Sequence, residues 1–412
     1  MLHKLTVIAL AVLSVHAVTA RAEATDQPMF SFSGFGTLGV THSSEKNADF
    51  IPTFYQQNGV GGTRNWDFNT DSKIAAQVTA NFTSQWSAVL QVISEQRYDN
   101  SYVPLVEWAN LKYAFTPDFS VRVGRVVLPT YLVSDSRKVG YANPWIRPPV
   151  ELYNLVPITN SDGVDLSYRF RVGAVTNTIQ AGYGRNTILT KEGPDGNATR
   201  VLNIVDNVDY GALSVHLSYL QLILNIPALE PLFGAYNAPI FGPNDIYEKY
   251  APDLTRVVYR GIGASYDPGK WFVQGEFGRQ NTNSAFGEKR AWYVTGGYRI
   301  GQFTPYLGYA NLKQLSSKSD PGINIAALPP FPGLAQGAMG LNAVLNSFLQ
   351  STDQQSVTLG TRWDFAKNAD LKVQFERLDL GNGSVGTLRN FKPGYQPGGK
   401  VNVFSLAVDF VF

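Results

Sequence analysis

At 412 residues the chain has room for two or three ordinary domains or for one large β-barrel. Charged residues make up 16% of it, below the roughly 25% of soluble domains, while aromatics reach 13%. No window beyond the first twenty residues supplies the roughly 18 apolar residues of a spanning helix, and the absence of cysteine excludes disulfides and thiolate metal sites.

The first element is a leader. MLHKLTVIALAVLSVHAVTARAEA has a charged start at Lys4, an apolar core from Leu5 to Val18, and small residues at Ala20, Ala22 and Ala24. That is the layout of a secretory signal peptide, with cleavage placed after Ala22 and Ala20 or Ala24 as neighbouring alternatives. Removing residues 1–22 takes away Lys4 and Arg21 from the 34 basic residues and leaves 32 against 32 acidic ones. A chain so nearly neutral carries no electrostatic footprint for nucleic acid.

Beyond the leader the apolar period is two. In SKIAAQVTANF, Ile74, Ala76, Val78, Ala80 and Phe82 alternate with Lys73, Gln77, Thr79 and Asn81. In WSAVLQVISEQR, Trp86, Ala88, Leu90 and Val92 alternate with Ser87, Gln91, Glu95 and Arg97. Alternation over about ten residues is the mark of strands with two different environments. Sixteen are predicted, at 29–42, 64–82, 85–97, 103–115, 119–128, 162–171, 175–185, 200–209, 212–225, 255–266, 270–281, 289–299, 303–314, 354–365, 370–380 and 400–412. Short turns such as 116–118 and 267–269 join them on one side. Connections on the other side are mostly long: 43–63, 129–161, 186–199, 226–254, 315–353 and 381–399. Short turns on one rim and long loops on the other are the layout of a transmembrane β-barrel.

Three features favour a membrane barrel over a soluble sandwich. Tyr113, Phe115, Phe119, Tyr266, Trp271, Tyr298, Phe303, Trp363 and Phe365 flank the short turns, where an interfacial aromatic girdle belongs. Lys73, Arg122, Asp165, Arg169, Arg299, Arg362, Lys372 and Glu376 fall within strands, which a wet lumen tolerates and a packed core does not. The chain ends VNVFSLAVDFVF, an alternating strand that can pair with the first and leave no open edge in lipid.

That last strand, ending in Phe412, resembles the C-terminal signal of bacterial outer-membrane barrels. With the leader, the sixteen strands and a long third loop, the whole mature chain, residues 23–412, resembles the general porins of Gram-negative bacteria. GYANPWIRPPVELYN, residues 140–154, is similar to proteobacterial porins that lack the enteric loop motif Pro-Glu-Phe-Gly-Gly. The resemblance implies an all-β, sixteen-stranded antiparallel transmembrane barrel with its third loop, 129–161, folded into the lumen. It implies passive diffusion of ions and small hydrophilic solutes across the outer membrane, with no cofactor and no catalysis. It also implies a homotrimer in outer-membrane lipid, with the second loop latched onto a neighbour; here that connection, YDNSYV at 98–103, is short for a latch.

In this family loop acids face wall bases at the constriction. The expected eyelet residues are Asp135, Arg137, Lys138, Arg147 and Glu151 on the loop, with Lys73, Arg122 and Arg169 as bases on the wall. Tyr131, Tyr141, Trp145 and Tyr153, together with Pro144, Pro148 and Pro149, make the loop stiff and suited to packing on an inner wall. Arg125 departs from the polar parity of its strand, sharing the side of Phe119, Val121 and Val123, which points to a bulge or a loop contact.

Other chemistry has little to stand on. GFGTLG at 34–39 spells a dinucleotide fingerprint but lies within the first strand, where glycine serves close approach. After loss of the leader only His42 and His216 remain, and no G-x-S-x-G occurs. Carboxylates are scattered without metal-ligand spacing. A substrate-specific channel and, more distantly, a barrel hydrolase using His216 stay open as alternatives. In GLNAVLNSFLQ, Leu341, Val344, Leu345 and Phe348 fall at helical spacing and predict a short amphipathic helix inside the loop 315–353.

Overall fold

The computed structural model describes residues 28–189 and 195–412; the leader lies outside the described residues. Sixteen long strands form one antiparallel sheet, to which the two-residue piece Trp66–Asp67 adds a seventeenth member. They are β1 (Phe30–Ser43), β2 (Lys73–Asn81), β3 (Trp86–Glu95), β4 (Leu105–Thr116), β5 (Phe119–Val127), β6 (Asn160–Val172), β7 (Val175–Ile188) and β8 (Gly196–Tyr210). They continue as β9 (Leu213–Asn225), β10 (Thr255–Tyr266), β11 (Trp271–Thr282), β12 (Lys289–Tyr298), β13 (Phe303–Gln314), β14 (Gln354–Ala366), β15 (Ala369–Leu380) and β16 (Gly399–Val411). Each pairs with its neighbours in sequence.

Closure comes from β1, which pairs on one side with β2, Phe30–Thr37 against Ala80–Lys73, and on the other with β16, Phe35–Ser43 against Val411–Val403. Phe412 completes the seam: its N–H donates to the Gly34 carbonyl at 3.0 Å, and Gly34 N–H donates back to the Phe412 carbonyl at 2.9 Å. With no edge left unpaired, the backbone polar groups of the wall are satisfied within the sheet. The GFGTLG glycines sit in this seam. A Cβ at Gly34 would run into the Phe412 ring and the Ala75 carbonyl, and one at Gly36 into the Phe410 ring. Close approach is therefore what the motif provides.

All sixteen predicted strands occur, and the differences lie at their ends. The segment expected as one strand at 64–82 is broken because Asp67 organises a turn: its carboxylate accepts from Arg64 at 2.7 Å, Asn69 at 2.8 Å and Thr70 at 2.8 Å. That turn splits Trp66–Asp67, which pairs with Thr41–His42, from β2. Strand β8 begins earlier than expected, at Gly196.

One parity of each strand is apolar and exposed, as in Val164, Leu166 and Tyr168 of β6 or Leu307 and Phe303 of β13. Near the short turns this face carries a run of touching rings, Trp86–Tyr113–Phe115–Phe119–Tyr168, with neighbouring centroids 4.6, 4.7, 5.2 and 6.4 Å apart. Tyr266–Trp271 and Phe303–Trp363–Phe365 continue it. No helix among the described residues is long and apolar enough to cross a membrane; the strands supply the apolar band instead.

The other parity is divided. Along β1, β15 and β16 it is polar, with Thr37, Thr41, Lys372, Gln374, Glu376, Ser405 and Asp409 all buried. Along β9 to β13 it carries Leu220, Leu222, Tyr259, Phe272, Tyr293, Tyr306 and Leu312. The long-side loops pack over the rim. The helix expected around 340–350 runs from Leu334 to Leu349 and seats Ala338, Leu345 and Leu349 against Phe233, Tyr236 and Ile246 of the connection after β9.

Candidate functional site

Residues 128–159, between β5 and β6, meet each kind of wall with matching chemistry. Tyr131, Trp145, Leu152 and Tyr153 join the apolar arc in one buried cluster. Tyr131 stands edge-on to Tyr259 at 5.4 Å and Trp145 edge-on to Tyr293 at 5.8 Å. A single carboxylate, Glu276 of β11, ties this side down. It accepts from the Leu132 N–H at 2.8 Å, from Tyr153 Oη at 2.6 Å and from Tyr293 Oη at 2.8 Å. Three donors reduce the cost of burying that carboxylate.

The polar arc takes the loop's charges. Arg147 has only 3% of its side chain exposed. It donates to Asp71 through Nε at 2.9 Å and Nη2 at 2.6 Å, pairs through Nη1 with Glu376 of β15, and reaches Thr41 at 3.3 Å as well as Ser405. Burial opposes the charge on Arg147, yet Asp71 and Glu376 outweigh it and hold the guanidinium above its ordinary pKa. A planar fork with five N–H donors suits such multiple pairing, which a lysine could not reproduce. Nearby, Glu151 is buried and accepts from Gln354 Nε2 of β14 at 2.7 Å. The Ile146 N–H donates to Gln374 at 3.0 Å, and Lys372 donates to the Gly140 carbonyl at 2.6 Å. Lys138 crosses to β3 and β4, where its Nζ meets Glu95 at 2.7 Å and Glu107 at 3.0 Å.

The expected eyelet residues thus lie in distinct places. Lys138, Arg147 and Glu151 are engaged with wall groups, and Arg137 stacks over Tyr153 at 5.2 Å while donating to its carbonyl at 2.9 Å. Asp135 is exposed and has no ion pair among the described residues. Lys73 stands opposite Glu95 in the β2–β3 register without forming an ion pair. Arg122 donates to Asp165 of β6 at 2.7 and 2.8 Å. Arg169 is not brought to the loop: it pairs at 2.9 Å with Asp118 in the short turn before β5. At the loop's ion pairs the polarity is the reverse of loop acids facing wall bases, since loop bases Lys138 and Arg147 face carboxylates of the wall and of the first connection.

Sequence reasoning did not identify Asp71, Glu95, Glu107 and Glu376 as partners. Glu95 and Glu376 already stood on the polar parity of their strands, which was the available signal. Glu107 was hidden by a register shift between Gln91 and Val92 in the β3–β4 pairing, and Asp71 by the turn at Asp67. Arg125 keeps the side of Val123 and pairs with Asp162 of β6 at 2.7 and 2.8 Å. A lateral ion pair, not a loop contact, accounts for its parity.

Three solved structures illustrate the likeness of the fold. OmpT of Vibrio cholerae, folded in vitro and in a trimer form, is 13% identical, with 93% of this chain and 99% of that chain covered and a TM-score of 0.53. An anion-selective porin from Comamonas acidovorans is 12% identical over 93% and 99%, with a TM-score of 0.54. OmpF of Salmonella typhi, in complex with daunomycin, is 13% identical over 93% and 97%, with a TM-score of 0.54. No protein-family model and no curated protein sequence matches the chain. The architecture is that of the bacterial porins, a closed sixteen-strand antiparallel barrel.

Proposed function

We propose that the mature chain is an outer-membrane porin, admitting ions and small hydrophilic solutes by passive diffusion past a constriction made by the loop 129–161. The observation that carries this reading is the reach of that one loop. It bonds or packs against β1, β3, β4 and β10 to β16, strands that together run more than halfway round the closed wall. One segment of about thirty residues reaches so much of the circumference most directly from inside. In that position Asp135, Arg137 and Lys138 border the narrow zone, with Lys73 and Arg122 on the neighbouring wall and Arg147 and Glu151 buried behind it, and the fields of these charges set ion preference.

Transport is favoured over hydrolysis by the surroundings of the two histidines. His216 Nδ1 lies 2.8 Å from the amide oxygen of Asn207, not from a carboxylate that would orient and charge it. His42 stacks on Trp66 at 4.6 Å. No cofactor or metal enters the proposal. A homotrimer is proposed as the working assembly, supported by the trimer form of the Vibrio cholerae protein; cross-linking of the detergent-folded chain that stops at one subunit refutes it.

The test of function is insertion into a planar bilayer. Stepwise current increments are expected on addition of purified protein. Hydrolytic activity lost on His216→Ala, or insertion without opening, overturns the porin reading.

A further inference from the structure

Beside the loop, a cavity of ≈ 340 Å³ opens between residues 128–159, the first connection and the upper ends of β2 to β4. That lies within the roughly 300–1,000 Å³ of small-molecule sites. Its basic side chains fall into two groups. Lys138 and Arg147 each meet two carboxylates. Lys73, Arg97 and Arg137 also line the space and, among the described residues, have no carboxylate within ion-pair distance. Arg97 Nε has no acceptor and its Nη1 makes only a 3.5 Å contact with the Val103 carbonyl. Arg137 has one bonded nitrogen and is held in place by the faces of Tyr131 and Tyr153 at 5.7 and 5.2 Å.

The carboxylates that line the cavity, Asp71, Glu95 and Glu107, are already occupied by Arg147 and Lys138. Cationic side chains therefore outnumber carboxylates in the space. Arg125 and Asp162 cancel one another. The remaining five bases, Lys73, Arg97, Arg137, Lys138 and Arg147, face four carboxylates, Asp71, Glu95, Glu107 and Glu376, which leaves one net positive charge. The same lining includes the partly exposed Pro52, Tyr55, Leu105 and Pro148, surfaces that an inorganic anion cannot use and a flat apolar body can.

We infer that this cavity is a subsite for a small organic monocarboxylate with a flat apolar body, its carboxylate received by Lys73, Arg97 and Arg137 and its body lying on Tyr55, Pro52 and Pro148. The inference rests on the channel reading, under which solute in the pore reaches the cavity. Charge-assisted bonds from guanidinium groups supply orientation, and the Tyr55 and proline surfaces supply selection among carboxylates. A solute so held makes the channel substrate-preferring instead of neutral to solute identity.

The test is calorimetric titration of the detergent-folded full chain with benzoate, with acetate, benzyl alcohol and chloride as comparisons. Saturable benzoate binding is expected, at least tenfold tighter than any comparison. Lys73→Gln, Arg97→Gln and Arg137→Gln are each expected to weaken it about fivefold or more, and Lys270→Gln, at an exposed short turn, to leave it unchanged. Folding of each variant is checked by retention of the heat-resistant barrel band in gels. Acetate binding as tightly as benzoate overturns the ligand class. Benzoate binding that is absent, or equal in all variants, overturns the site. A chain that conducts in bilayers yet binds no benzoate refutes this inference and leaves the porin standing; one that binds benzoate and never conducts does the reverse.

Discussion

Arg147→Ala is the perturbation on which the loop's seating turns. The side chain and its partners Asp71 and Glu376 are 3%, 3% and 7% exposed. Removing the cation leaves two carboxylates buried and uncompensated, a situation that costs about 3–5 kcal/mol. The lost bonds to Thr41 and Ser405 belong to the same network and do not add independently. The triple change Arg147→Met/Asp71→Asn/Glu376→Gln removes all three charges and keeps most of the volume. It is expected to cost less than the single change, because neutral replacement of a buried ionic cluster is often close to neutral. The assay is the guanidinium midpoint of the detergent-folded barrel, followed by tryptophan fluorescence, since Trp145 on the same loop packs against Tyr293. A single variant within about 1 kcal/mol of the wild type, or a triple variant worse than the single, refutes the reasoning.

Two further outcomes follow from the same contacts. Lys138→Met frees Glu95 and Glu107 from their shared cation. A unit charge 4 Å from an ion in water is worth about 1 kcal/mol, so reversal potentials in a salt gradient are expected to shift toward the cation by up to roughly fivefold in permeability ratio; a shift toward the anion contradicts the pairing. Gly34→Val places a branched side chain against the Phe412 ring and the Ala75 carbonyl at the seam. Overpacking of that kind costs roughly 1–3 kcal/mol, and a reduced refolding yield is expected, whereas an undiminished yield shows that the seam relaxes freely.

The barrel was legible because its signal is local. Alternation in SKIAAQVTANF or the final VNVFSLAVDFVF needs no knowledge of partners, and closure follows once an even number of strands must hide both edges. The segment 64–82 misled because alternation continues across Asp67, whose three hydrogen bonds break the strand while leaving the pattern intact. The loop's charged residues could be picked out as a group, but their partners could not. Pairing across the wall depends on register, and the shift at Gln91/Val92 moves Glu107 out of the periodicity that would have revealed it. Arg169 shows the same limit: its parity fits a lumen, yet the short turn offers Asp118 first. The apolar second face of β9 to β13 reads from sequence as lipid or core and takes on meaning only beside Tyr131, Trp145 and Tyr153.

The most direct measurement is single-channel conductance in one bilayer system for the full chain and for a chain lacking Arg137 to Trp145. That deletion removes the Lys138 pairs, the Gly140 contact with Lys372 and the Trp145 packing on Tyr293. Discrete openings are expected from both, with the larger step from the deletion. Equal steps place the loop outside the solute path, and an intact chain that inserts without ever opening contradicts the channel itself.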